Sequence, residues 1–163
     1  MTSASTKRAA QGGVLLARVA ALWIMALAPP VLGKLPPVTG VAQVSANETH
    51  TCAVTTAGAV LCWGSNDYGQ LGDGTQQRRI LPTQVTGLES GVVAVAAGNF
   101  HTCAVTAGGA VLCWGRNRFG QLGDGTTIDR MLPTPVSSLG SGVQAIATGA
   151  AFSCALTSGG GVF

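Results

Sequence analysis

Three features of the sequence predict an all-β fold of β-propeller blades, each an antiparallel four-stranded sheet, in about two and a half repeats that form an incomplete ring, preceded by a short N-terminal helical leader. The sequence matches itself at an offset of 51 positions: HTCAVT at His50–Thr55 returns at His101–Thr106, LCWG at Leu61–Gly64 at Leu112–Gly115, and GQLGDGT at Gly69–Thr75 at Gly120–Thr126. The segments between glycines are strand-length runs of valine, alanine and other apolar residues. Composition agrees, because 47% hydrophobic residues, 9% charged residues and 24 glycines suit short buried strands joined by glycine turns and argue against disorder. A unit of about 50 residues that cannot bury its apolar faces alone must stack on its neighbours, as propellers and arrays do.

The first element in chain order is a leader over residues 1–33. It has a basic start (Lys7, Arg8, Arg18), the apolar run VAALWIMALA from Val19 to Ala28, and a proline-containing tail. This is the layout of a secretory signal. The apolar run falls well short of the roughly 20 residues that span a bilayer, and a membrane helix would have to absorb Arg18. Ala26-Leu27-Ala28 and Val31-Leu32-Gly33 are the two candidate cleavage points, with Pro29 disfavouring the first. The expected location is therefore secreted or extracytoplasmic by bacterial-type export, with membrane contact only through the leader. The alternatives are an uncleaved N-terminal anchor, or a misread start that would leave the chain cytoplasmic. The leader also explains the net charge of +3: from Leu35 onward five arginines (Arg78, Arg79, Arg116, Arg118, Arg130) face six acids (Glu48, Asp67, Asp73, Glu89, Asp124, Asp129), which leaves no electrostatic footprint for nucleic acid.

Residues 34–163 form the repeat region, read as a first repeat over 35–80, a second over 81–131 and a partial third over 132–163. Between residues 50 and 92, 30 of 43 positions are identical to their counterparts in the next copy. Each copy opens on a strand (GVAQVSAN at Gly40, GVVAVAAG at Gly91, GVQAIATG at Gly142) and continues into a hairpin, HTCAVT and AVLCWG. A three-residue hairpin loop needs a positive φ at its third position, which Gly58, Gly109 and Gly160 supply. That register places Cys52 opposite Cys62 and Cys103 opposite Cys113. A glycine-rich loop follows, then an LPT segment whose proline suits a sheet edge or a connection and not a central strand. In the third copy Phe152-Ser153-Cys154-Ala155-Leu156 stands for HTCAV and Gly160-Gly161-Val162-Phe163 for GAVL. Stopping inside a hairpin, the chain reads as a fragment of a longer propeller.

The element Gly98-Asn99-Phe100-His101 ahead of the hairpin, together with CWGxNxxGQLGDGT at Cys62–Thr75 and Cys113–Thr126, resembles the regulator of chromosome condensation (RCC) repeat family. The resemblance covers residues 35–163. It implies a propeller, usually of about seven blades, that binds partner proteins on the loops of one face or rim. It also implies two functional types, since founding members are exchange factors for a small GTPase and secreted bacterial relatives are adhesion-like or inhibitory modules. The cysteine pair in each repeat resembles the secreted bacterial kind. Two positions depart from the pattern: Asn47 stands for the family glycine in the first copy and Phe152 for the histidine in the third.

The candidate sites follow from repetition. In an exported chain Cys52–Cys62 and Cys103–Cys113 read as cross-strand disulfides, leaving Cys154 unpaired. A zinc site from His50, Cys52 and Cys62 would lack a fourth ligand, and reduced thiols are the alternative if the leader is misread. His50 and His101 occupy equivalent positions and read as structural, because a catalytic base is needed once and not in every copy. Trp63 and Trp114 read as blade-to-blade packing, with ligand stacking as the alternative. Asp73 and Asp124 read as turn formers, with a calcium or phosphate loop as the alternative. No catalytic residue, cofactor or metal is predicted, and no enzyme activity. Binding specificity is expected where copies differ in a constant frame: Ser65/Arg116, Asp67/Arg118, Tyr68/Phe119, and Gln76-Gln77-Arg78 against Thr127-Ile128-Asp129. Tyr68, Arg116, Arg118 and Phe119 are the contact candidates, for a protein or glycan ligand. The predicted function is an exported protein-interaction scaffold, with self-association or further repeats closing the ring. The alternatives are a guanine-nucleotide exchange factor-like regulator of a small GTPase, and a truncated product without a function of its own.

Overall fold

The computed structural model describes residues 37–163. Ten strands make up its regular structure: β1 (Val41–Ala46), β2 (His50–Thr55), β3 (Val60–Gly64), β4 (Arg79–Gln84), β5 (Val92–Ala97), β6 (His101–Thr106), β7 (Val111–Gly115), β8 (Arg130–Pro135), β9 (Val143–Thr148) and β10 (Ser153–Thr157). Two antiparallel four-stranded sheets run β1-β2-β3-β4 and β5-β6-β7-β8, and β9 pairs with β10 in a third sheet of two strands. One part of the expected fold class needs correction. No helix occurs among the described residues, and the helical leader assigned to residues 1–33 lies outside them. The physical basis for that helix was thin, since an apolar run shorter than about 12–15 residues does not hold a helix by itself in water.

Local chemistry explains the hairpins. In the β2–β3 turn the Thr55 hydroxyl accepts the Ala59 N–H at 3.0 Å and Gly58 N–H donates to the Thr55 carbonyl at 2.9 Å. Gly58 sits at φ 79°, and a Cβ there would meet the Gly91 nitrogen at 2.7 Å, so both dihedral and space demand glycine. The turn fixes the register His50↔Gly64, Cys52↔Cys62, Val54↔Val60, which recurs in the second copy as His101↔Gly115, Cys103↔Cys113, Val105↔Val111. The proline-bearing strands β4 (Pro82) and β8 (Pro133, Pro135) are the outermost of their sheets, where a missing N–H costs no ladder bond.

The sheets stack on one another through their apolar faces. Between the first two, Val54, Val60, Leu71, Val85 and Leu88 of the first unit close over Val92, Val95, Ala104 and Trp114 of the second. Trp114 is fully buried there and donates its indole N–H to the Gln70 carbonyl at 2.9 Å. Trp63, the equivalent residue of the first sheet, is half-buried. The two tryptophans therefore carry different loads. Trp114→Ala is expected to lower the unfolding free energy by about 3–5 kcal/mol, and Trp63→Ala by clearly less. Urea denaturation followed by circular dichroism measures both, and equal losses would contradict the unequal packing.

Candidate functional site

A hydrogen-bonded relay joins each sheet to the next. His50 Nε2 lies 2.8 Å from Thr102 Oγ1, and the Thr102 hydroxyl donates to the Gln70 carbonyl at 2.8 Å. With its proton committed to Gln70, Thr102 can only accept from His50, which therefore carries its proton on Nε2. The pattern repeats one unit on, where His101 Nε2 lies 3.0 Å from Ser153 Oγ and Ser153 donates to the Gln121 carbonyl at 2.9 Å. Both rings are buried. Burial first, and then repulsion from His101, lowers the pKa of His50 to about 4, and burial brings His101 to about 4 as well. Both are neutral near pH 7, as a donor inside a packed interface requires, and each is used in the same way in its own unit.

The GQLGDGT loop is held by its own side chains together with those of flanking residues. Buried Asn66 accepts the Leu71 N–H at 2.9 Å and donates to Asp73 at 3.1 Å and to the Thr75 carbonyl at 2.9 Å, and Asn117 does the same toward Leu122, Asp124 and Thr126. Asp73 pairs with Arg79 at 2.7 Å and Asp124 with Arg130 at 2.8 Å. Burial alone would raise the Asp124 carboxyl, but hydrogen bonds from Thr126, Arg130 and Asn117 outweigh it and hold the pKa down at about 2. Asp73 is lowered by the corresponding Thr75 and Arg79 contacts against the same opposing burial. These carboxylates are spent on the turn. Among the described residues no group of three or more His, Cys, Asp or Glu is arranged to hold a metal ion.

On this frame some of the residues that differ between copies come together, while Ser65, Asp67 and Gln76-Gln77-Arg78 stay outside the group. The Arg116 guanidinium lies 4.8 Å from the Tyr68 ring centre and 5.5 Å from that of Phe100, while Tyr68 meets Phe100 edge-on at 5.3 Å. Tyr68 belongs to the first unit, and Phe100 and Arg116 to the second. Tyr68, Arg116 and Arg118 line a shallow groove with Thr127, Ile128 and Asp129. Its far wall is tied down by Asp129, which accepts the Asn117 N–H at 2.6 Å. Phe119 does not join them. It is 67% exposed, lies 5.9 Å below the Arg118 guanidinium, and borders a separate cleft. Phe100 was missed by sequence reasoning, although a signal existed: its counterpart in the first copy is Thr49. The paired cysteines lie where the hairpin register put them, with Cys52–Cys62 and Cys103–Cys113 within disulfide distance and each Cα pair 4.1 Å apart. Cys154 is free and exposed.

Residues 57–105 and 108–156 each match the Regulator of chromosome condensation (RCC1) repeat, and a second description of the same repeat matches 41–70 and 92–121. The chain is 40% identical over 126 residues to the human protein named "Probable E3 ubiquitin-protein ligase HERC4", a match that takes in 76% of this chain and 12% of that protein. Among solved structures, human WBSCR16 superposes with a TM-score of 0.69 at 28% identity, over 80% of this chain and 34% of that one. Yeast RCC1 (Prp20), solved bound to Kap60, superposes with a TM-score of 0.66 at 26% identity, over 79% of this chain and 30% of that one. The chain thus spans about an eighth of the ligase and about a third of each solved propeller.

The neutral histidines make stability depend on pH. An unfolded histidine titrates near 6.5 and the buried ones near 4, so between these values the unfolded chain binds protons that the native chain does not. Stability is expected to be fully present above about pH 6.5 and to fall as pH drops toward 4, by at most about 1.4 kcal/mol per pH unit for each histidine. Denaturant midpoints across pH 4–7 measure this, and a profile flat through that window would contradict the buried neutral relay.

Proposed function

The chain belongs to the regulator of chromosome condensation (RCC1) repeat family, and from that premise we propose that it is a protein-interaction scaffold whose contact surface is the groove between Tyr68 and the Arg116–Arg118 loop. One observation carries the reading: positions that differ between otherwise matching copies converge from two units on one groove. A fixed frame with variable loops is how repeat scaffolds separate stability from recognition. Tyrosine and arginine are the side chains that contribute most at interfaces, and here they are preorganised by stacking. Two guanidinium groups beside an aromatic ring suit a partner protein that presents carboxylates, or an anionic glycan. The whole-protein activities of longer relatives, ubiquitin ligation among them, are not carried over.

The proposal includes export of the mature region 34–163 after a leader over 1–33, with repeats over 35–80, 81–131 and 132–163. Two cysteine pairs at disulfide distance are compatible with an extracytoplasmic location. No described helix is long and apolar enough to cross a membrane. Non-reducing mass spectrometry of protein recovered outside the cell is expected to show both hairpin pairs oxidised. Free thiols at the hairpins, or retention in the cytoplasm, would reject export.

For the groove, the double variant Arg116→Glu/Arg118→Glu is expected to weaken capture of the partner at least about tenfold, since buried interfacial charge contacts cost 2 kcal/mol or more when lost. Its melting temperature should stay near wild type, because neither arginine lies in the packed core. Capture by wild type and variant is compared after crosslinking, and equal capture would reject the groove. Stimulated nucleotide release from a small GTPase that survives the double substitution would favour the exchange-factor reading instead.

A further inference from the structure

Thr49 and Phe100 stand at the same place in successive units, each immediately ahead of the relay histidine. In the first unit the Thr49 hydroxyl lies 3.3 Å from His50 Nδ1 and shares its proton between that nitrogen and the Asn99 carbonyl. His101 is engaged through Nε2, as His50 is, so its Nδ1 is an acceptor in need of a donor. Phenylalanine has none to offer. His101 is fully buried, and among the described residues its Nδ1 is the one buried side-chain polar atom without a hydrogen-bond partner. A buried acceptor left in that condition destabilises the fold.

What the ring does instead is visible on its other side. The Arg116 guanidinium lies 5.5 Å from the Phe100 ring centre and 4.8 Å from that of Tyr68, and the two rings meet edge-on. The Arg116 N–H also donates to the Phe100 carbonyl at 2.8 Å. That backbone bond needs no phenylalanine, because Ser65 N–H makes it to the Thr49 carbonyl at 2.9 Å in the first unit. Only the ring contact is particular to the second unit. Among the described residues Arg116 makes no ion pair, so its plane is held while its charge stays unpaired.

We propose that Phe100 is a positioning residue of the Tyr68 groove, holding the Arg116 guanidinium in place for a carboxylate of an acidic peptide, and that the unpartnered His101 nitrogen is the stability given up for it. The inference rests on the reading of that groove as the contact surface. A guanidinium already fixed in orientation loses less freedom when a carboxylate pairs with it through two hydrogen bonds. With Arg116 over its ring and Phe100 against it, Tyr68 offers little bare face for a sugar to stack on, which favours a peptide over a glycan.

The test uses the full ¹⁵N-labelled chain, the variants Phe100→Thr and Phe100→Val, and acetylated hexaglutamate as the probe. Without the probe, the Arg116 Nε–H resonance, displaced by the two rings in the wild type, is expected to move toward the free-arginine position in both variants. Both should bind the peptide at least about threefold more weakly. The variants differ by one hydroxyl, and Phe100→Thr should melt at least about 2 °C above Phe100→Val, since only threonine can donate to His101 Nδ1. Equally weakened binding at unequal stability separates positioning from a merely structural role. Should either variant fail to fold, Phe100→Leu, which keeps apolar bulk without a ring, carries the resonance and affinity readouts. An unmoved Arg116 resonance, wild-type affinity in the variants, or equal melting of the threonine and valine forms would overturn the role of Phe100 while leaving the groove intact. Binding of hexagalacturonate in preference to the peptide would overturn the choice of partner. Wild-type affinity in Arg116→Glu/Arg118→Glu would reject the groove itself, and the inference with it.

Discussion

The carbonyl of Gln70 holds the first two sheets in register. It receives a hydroxyl and an indole N–H, from Thr102 and Trp114, both on the second sheet, and Thr102 in turn receives the Nε2–H of His50 on the first. Four polar groups that would be costly to bury singly satisfy one another at the centre of an apolar interface. Much else is subordinate to this junction. The histidine must be neutral, which its burial enforces, and Gly72 must lack a Cβ so that the indole can approach. The GQLGDGT loop must place the Gln70 backbone at the same point in each copy. Its buried asparagine and its aspartate–arginine pair do that.

A rigid junction of this kind frees the loops beyond it to vary. Ser65, Asp67 and Tyr68 in one copy become Arg116, Arg118 and Phe119 in the next, while Asn66, Gly69 and Gln70 between and beside them are unchanged. The retained residues are buried and hydrogen-bonded, and the changed ones lie on the surface or partly so. Positions free to change thus interleave with positions held by the fold in one short loop. The cysteine pairs stand at disulfide distance inside each hairpin and none lines the Tyr68 groove, so oxidation can tie a blade without altering that lining.

Much of this was legible in the sequence, for a definite reason. Hairpin turns are local, so Gly58 and Gly109 fix the cross-strand partners of residues a few positions away, and the alignment of Cys52 with Cys62 followed from counting. Pro82 and Pro133 likewise excluded central strands, and the structure places both on outer strands. The aromatic cluster was legible in part. Tyr68 and Arg116 stood out as differences between copies, but Phe100 lies just before the run of identity that starts at His101, and its exchange for Thr49 drew no notice. The helix expected near the N-terminus rested on hydropathy alone, with no periodic pattern behind it.

By itself the sequence determined the repeat, the strand order within a unit, the hairpin register and the family, because all of these rest on short-range hydrogen-bond geometry that recurs every 51 residues. Only the tertiary structure decided what equivalent residues do. Trp114 is sealed in an interface and Trp63 is half-buried, His50 meets a threonine and His101 a serine, and Tyr68 joins a groove that Phe119 does not. The physical reason is that burial and electrostatics depend on which surface lies opposite, and in a stacked repeat that surface belongs to a neighbouring unit.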